Sequence, residues 1–282
     1  MENIAINSYA KINLALDIIG KREDGYHEIK TIMQSIDLKD KLLIENIDKN
    51  EIIVNCNHPG VPLDENNLVY KSWEIMKETA KVEKGIKVTI DKNIPMGAGL
   101  AGGSSNAGAV LKGLNELWDV GLTKEELIDL GKGIGADVPF TILGGTALAE
   151  GVGEKLTSLK SFRNKHVLIC NPGIEISSKY AYSILKIDDE RVDVEKIIKA
   201  MENEDLELIG KLSRNKMEDE IFKKYEIIER IKLDLINSNA KVSLMSGSGS
   251  SVFGIFEDEE SMNKAKEKVE KYAKFVVKTK TI

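Results

Sequence analysis

Four short groups of residues have the types and spacing that chemistry requires. The first runs from Pro95 to Ala107 and reads PMGAGLAGGSSNA; Gly97, Gly99, Gly102 and Gly103 bare the backbone, and Ser104 and Ser105 follow at once. Successive N–H groups of such a turn converge on phosphate oxygens, and a helix opening behind them adds the positive end of its dipole. The second group is Lys11, Asn13 and Asp17, which share one face of an alternating stretch. A lysine there marks either an edge position or a site, and spacing alone leaves both open. The third is Tyr26-His27 after Gly25, an aromatic and an imidazole in a loop, where ligands are often met. The fourth is Gly135-Ala136-Asp137-Val138-Pro139-Phe140, in which Asp137 has the grammar of a helix N-cap ahead of a first-turn proline.

The elements that must carry these groups follow from periodicity. Ile86, Val88 and Ile90 alternate with polar residues, so a strand leads into the glycine turn. Ala107, Val110, Leu111, Leu114, Leu117 and Trp118 fall at helical spacing, so a helix leaves it near the serines. Gly97 to Gly102 formally satisfies G-x-G-x-x-G, but no second strand with an acidic end follows at the required distance. Instead Thr123-Lys124-Glu125-Glu126 reads as a capping box opening another helix. No Gly-Lys-Ser/Thr follows the glycines, which excludes a Walker A loop. A free-standing phosphate turn between strand and helix is the reading that remains.

Ile4 to Ile18 is expected as a strand with Ile12, Leu14, Leu16 and Ile18 on one face. Asp40–Glu45 and Glu51–Cys56 read as a hairpin around Asp48-Lys49-Asn50, and a helix is expected after Asn67 with Val69, Trp73 and Met76 inward. Thr146 to Leu159 reads as a second hairpin. Beyond residue 160 the order is strand, helices, strand, strand, helix, strand, with a second Gly/Ser turn at Ser246 to Ser251. That order predicts a ferredoxin-like unit with extra helices, and a domain boundary near 158–163.

With 282 residues, a net charge of -6 and an isoelectric point near 5.4, the chain has no dominant basic field for nucleic acid. No membrane span is expected, because no run of eighteen apolar residues occurs. The first residues lack the basic and apolar regions of a signal peptide. Cys56 and Cys170 lie far apart without metal spacing, which favours free thiols in a reducing cytoplasm.

Three of these stretches together, Ala10-Lys11-Ile12-Asn13-Leu14, PMGAGLAGGSSNA and Leu244 to Ser251, resemble the three motifs of the GHMP kinases, the family of galactokinase, homoserine kinase and mevalonate kinase. The resemblance covers nearly the whole chain. AKINLALDI, GYHEI and GADVPF narrow it to the branch that phosphorylates a cytidyl diphosphate sugar alcohol in non-mevalonate isoprenoid-precursor synthesis. It implies an α+β, two-domain GHMP kinase fold: a ribosomal-protein-S5-domain-2-like ATP-binding domain over 1–160 and a ferredoxin-like domain over 161–282. It implies ATP and Mg²⁺ as cofactors. Lys11 and Asp137 become the catalytic pair, the aspartate as base and the lysine as its cationic partner.

On the nucleotide, the resemblance places Asn67 beside adenine, and Pro95, Met96, Gly97, Ala98, Gly99, Leu100, Ala101, Gly102, Gly103, Ser104 and Ser105 around the phosphates. On the acceptor it places Asn13, Tyr26, His27, Tyr182, Gly247 and Gly249, with His27 on the cytosine edge and the two tyrosines stacking. Ala98 and Ala101 stand where relatives often have glycine, and Asn106 where many have aspartate; none of these changes removes a backbone donor. No acidic side chain matches as a Mg²⁺ ligand, leaving the metal to phosphates and water with Ser104 or Ser105. Two alternatives stand beside this reading: a homoserine- or mevalonate-type kinase, and a non-catalytic nucleotide-binding regulator on the same fold.

Overall fold

The computed structural model describes residues 2–282. Two long strands, β1 (Asn3–Lys21) and β2 (His27–Ile47), pair with each other and are followed by β3 (Ile52–Cys56). Then come α1 (Leu68–Ala80), β4 (Gly85–Asp91), α2 (Gly102–Leu117), α3 (Lys124–Lys132), α4 (Val138–Leu143), β5 (Thr146–Gly151) and β6 (Lys155–Ser158). The chain continues as β7 (His166–Asn171), α5 (Ser178–Ile184), α6 (Val194–Glu202), α7 (Leu206–Leu212), α8 (Glu218–Lys224) and α9 (Glu226–Ile236). It ends as β8 (Val242–Met245), β9 (Val252–Phe256), α10 (Glu259–Val269) and β10 (Phe275–Lys280). Most helices start at a side-chain cap: Asn67, Thr123, Ser177, Asp193, Asp205 and Asp258 each accept an N–H of the first turn. Thr123 and Glu126 close the expected capping box.

The chain folds into two compact units that interleave in sequence. The first comprises the chain up to Ala10, Leu38–Met96 and Ala101–Gly144. In it the later part of β2 pairs antiparallel with β4, and β4 pairs parallel with β3. The predicted β2–β3 hairpin is therefore absent: β4 lies between the two strands. Alternation of buried residues defines a strand's face and not its partner. Leu42 and Ile44, Ile52 and Val54, and Ile86, Val88 and Ile90 all enter one core, so only the long-range pairing decides the order. Val69, Trp73 and Met76 of α1 and Val110, Leu111 and Leu114 of α2 cover that sheet. Each such buried apolar side chain contributes about 1.5–3 kcal/mol through removal from water.

The second unit comprises Lys11–Asp37, Gly97–Leu100 and Gly145–Ile282. The start of β2 pairs antiparallel with β5, and β5 with β6, giving the hairpin expected over 146–159. A second sheet has the order β10-β7-β9-β8, all antiparallel, with β7 and β9 central. In chain order that is 4-1-3-2, the ferredoxin-like arrangement read from the sequence, with five helices where the first crossover would have one. Helices α9 and α10 pack on this sheet through Ile228, Ile231, Leu235, Met262, Ala265 and Val269.

Candidate active site

Within the second unit three of the sequence motifs meet. Lys11 is only 4% exposed and Asn13 only 2%, so the lysine is not an edge residue. Its Nζ donates to Asn13 Oδ1 at 2.8 Å, and Asn13 Nδ2 donates to Thr31 Oγ1 at 2.9 Å. Thr31 in turn donates to the Ala15 carbonyl, so the amide is oriented from both ends. The Lys11 N–H donates to the Leu100 carbonyl at 3.2 Å, which ties the first glycine turn to β1. Ser246 Oγ donates to the Gly99 carbonyl at 2.9 Å, and Ser251 N–H to the Ala98 carbonyl at 3.2 Å, which tie it to the third motif. Gly247, with φ +53°, packs on the lysine itself: a Cβ there would lie 3.3 Å from Lys11 Nζ and 3.5 Å from Asn13 Oδ1.

The same unit holds the aromatic residues. His27 and Tyr182 stack with centroids 4.8 Å apart and planes 16° from parallel. Burial pushes the His27 imidazole below its usual range, and the Lys21 charge adds to this, both favouring the neutral ring. A neutral imidazole carries one donor and one acceptor nitrogen. Tyr26 is 66% exposed, an apolar ring left facing outward. Helix α5, which carries Tyr182, touches the third motif through a hydrogen bond between the Ser178 and Ser248 hydroxyls. Asp17, on the Lys11 face of β1, is buried; one carboxylate oxygen accepts the Val192 N–H at 3.0 Å and the other has no partner.

In the first unit the remaining part of the glycine turn opens α2. Ala101 precedes it at φ 59°, a left-handed conformation in which glycine would be unstrained. Asp40 sets the approach: buried, it accepts Lys92 Nζ at 2.6 Å, Asn93 N–H at 2.7 Å and Ile94 N–H at 2.8 Å, directly ahead of Pro95. Ser105 is buried and its hydroxyl donates to the Tyr9 carbonyl at 2.6 Å, whereas Ser104 is half-buried and passes only its carbonyl to Thr141 Oγ1 at 3.2 Å. Asn106 Oδ1 accepts from Ser8.

Asp137 holds the N-cap position of α4, as its sequence context predicts, yet its side chain makes no capping hydrogen bond. Val138, Pro139 and Phe140 are buried and fix the helix, while the carboxylate of Asp137 stays half-buried at its start. Asn67 does cap: Oδ1 accepts the Val69 N–H at 3.2 Å, and Nδ2 donates to the Pro62 carbonyl at 2.8 Å. Its polar atoms thus have structural work, which the resemblance alone did not reveal. Asp40 and Lys92 also shape the approach to the turn, and each sits in a run of polar residues that carried no signal of a site.

A glycine turn, a buried lysine held by an amide, and a half-buried aspartate at a helix N-terminus are residue types that phosphoryl transfer uses. Family profiles agree: residues 67–145 match the GHMP kinases N terminal domain and residues 197–274 the GHMP kinases C terminal domain. The chain belongs to the GHMP kinases, enzymes that move a phosphoryl group from ATP to an alcohol of a small molecule. It is 47% identical over 261 residues to the 4-diphosphocytidyl-2-C-methyl-D-erythritol kinase of Acetivibrio thermocellus, covering 92% of each chain. It is 45% identical over 280 residues to that of Clostridium botulinum, covering 98% of this chain and 99% of the other. A crystal structure of 4-(cytidine 5'-diphospho)-2C-methyl-D-erythritol kinase superposes with a TM-score of 0.84 at 29% identity, covering 99% of both chains.

Proposed function

We propose that the chain transfers the γ-phosphoryl group of ATP to the 2-hydroxyl of 4-diphosphocytidyl-2-C-methyl-D-erythritol, in the non-mevalonate route to isoprenoid precursors. The observation that carries this acceptor is the stacked His27–Tyr182 pair, in the unit that also holds Lys11, Asn13 and the third glycine turn. Cytosine presents acceptors and a donor on one edge and two flat faces. A neutral imidazole matches the edge, and Tyr182 and the exposed Tyr26 supply the faces.

In this reading residues 1–160 form the ATP-binding domain and 161–282 the ferredoxin-like domain. The turn from Pro95 to Ser105 wraps the phosphates and Asn67 lies beside adenine. Asp137 accepts the proton of the 2-hydroxyl as its oxygen bonds to the γ-phosphorus. The bond from that phosphorus to the β-phosphate oxygen breaks, and ADP leaves. Lys11 offsets the charge on the transferred group, and Asn13, which fixes the Lys11 ammonium, orients the acceptor. Gly247 leaves the acceptor room above that pair, and Gly249, where a Cβ would meet Met245, supports the turn from behind.

Among the described residues no group of His, Cys, Asp and Glu forms a metal cluster. Mg²⁺ would be held mainly by the triphosphate and water, with Ser104, the more exposed of the two serines, as hydroxyl ligand, since Ser105 is buried. When bound, the ion neutralises phosphate charge. No helix among the described residues is long and apolar enough to cross a membrane, and the proposed setting is the cytoplasm. Phosphorus NMR of the reaction tests the proposal. One new phosphomonoester with an intact diphosphate is the expected product; a product without a phosphomonoester, or with a cleaved diphosphate, would refute it.

A further inference from the structure

The third glycine turn is held in place by two side chains that touch no ligand in the reading above. Asn215, fully buried, lies just ahead of α8. Its Nδ2 donates to the Met245 carbonyl at 2.7 Å and to the Gly247 carbonyl at 2.8 Å, and its Oδ1 accepts the Met217 N–H at 3.0 Å. Glu218, also buried, accepts the Met245 N–H at 2.7 Å and Lys232 Nζ at 2.5 Å. Met245 ends β8, the edge strand of its sheet, so its outward backbone groups have no further strand to pair with. Asn215 and Glu218 take the place of that strand.

This clamp is anchored to the strand that carries Lys11. The Leu16 N–H donates to the Arg214 carbonyl at 2.9 Å, and the Lys216 N–H to the Leu16 carbonyl at 3.0 Å. The linkage therefore closes a circuit: from Lys11 along β1 to Leu16, across to Asn215, up to Gly247, and back onto Lys11 Nζ. We propose that Asn215 is a positioning residue for phosphoryl transfer, setting the gap between the Gly247 turn and Lys11, while Glu218 holds the other side of Met245. The inference rests on Lys11 serving the transferred group. A misplacement on the order of 1 Å in such a site costs about 100-fold, whereas the Ser246 and Ser251 bonds to the first glycine turn are not made by Asn215.

The test uses the full chain. Asn215→Asp keeps size and the acceptor for Met217 but loses both donated bonds; Asn215→Ala loses them without adding charge. Both are expected to lower kcat about 10- to 100-fold, with the dissociation constant of a non-hydrolysable ATP analogue unchanged within about threefold. Glu218→Gln, which still accepts from Met245, is expected to unfold at lower temperature yet keep kcat within about threefold. A merely structural asparagine would lower the unfolding temperature and leave the kcat of the folded protein intact. Wild-type kcat in the folded Asn215 variants, failure of both to fold, or an equal kcat loss in Glu218→Gln overturns the proposal. Lys11→Ala is measured beside them: if it retains full turnover, the reading of the site has failed. If it is inactive while the Asn215 variants are not, the positioning role alone has failed.

Discussion

Gly99→Ala adds one methyl group where the first glycine turn passes the third. Gly99 has φ +74°, and a Cβ there would overlap the Ser246 carbonyl oxygen, lying 2.9 Å from the Ser246 carbonyl carbon and 3.1 Å from the Gly249 nitrogen. All three atoms are backbone, so no side chain can rotate away. The left-handed conformation costs alanine about 1–2 kcal/mol, and relief of the overlap requires the turns to part by roughly 1 Å. That displacement also breaks the Ser246–Gly99 hydrogen bond. For a turn in the proposed role of phosphate cradle, roughly 1 Å corresponds to about 100-fold in rate, or about 2.7 kcal/mol. Calorimetry with a non-hydrolysable ATP analogue and a coupled ADP-release assay should show kcat/KM for ATP reduced at least about 100-fold, with far-UV circular dichroism unchanged. Gly103→Ala is the control for packing, since a Cβ there meets no protein atom within 4 Å and any loss of ATP affinity reports ligand approach alone. Unchanged ATP affinity and turnover in Gly99→Ala would show that the glycines serve only close packing.

Asp137→Asn should keep ATP affinity and lower kcat at least about 100-fold, the usual range for a positioned base; near-normal turnover would remove it from the mechanism. The acceptor KM should stay flat above neutrality and rise only below about pH 6.5, because burial and the Lys21 charge depress the His27 pKa. The same shift means the unfolded chain binds the proton more readily, so His27's contribution to stability falls as the pH drops through the unfolded value. A KM rise already beginning near pH 7.5 would contradict that role, steady-state kinetics across pH being the check. Lys92→Met leaves the buried Asp40 carboxylate without its cation and should cost about 3–5 kcal/mol in urea unfolding; a loss below about 1 kcal/mol would show that the pair does not support the turn.

Much of this was legible in the sequence because the signals are local. Alternation gave β1 and β4, helical spacing gave α2, and Thr123 with Glu126 marked the start of α3. The ferredoxin-like order could be read because each element is short and separated by turns. Pairing was not legible: β3 and β2 look like a hairpin until β4, thirty residues later, takes the place between them. The burial of Lys11 was equally hidden, since it depends on Asn13, Thr31 and the Gly247 turn, which lies more than two hundred residues away. Asp137 shows the limit from the other side. Its sequence grammar correctly places it at a helix start, but whether the carboxylate caps that helix is decided by tertiary geometry.

The central claim is tested most directly by acceptor preference. Coupled ADP release is measured with 4-diphosphocytidyl-2-C-methyl-D-erythritol, with the same sugar alcohol phosphate lacking cytidine, with homoserine and with mevalonate. Base stacking is worth about 1–3 kcal/mol, and an unsatisfied imidazole costs about the same again. The cytidyl compound should therefore lead in kcat/KM by roughly tenfold to several-thousandfold. The preference should collapse in Tyr26→Ala/His27→Ala while ATP binding persists. Equal efficiency on homoserine, mevalonate or the base-free acceptor would leave a GHMP kinase and contradict this substrate.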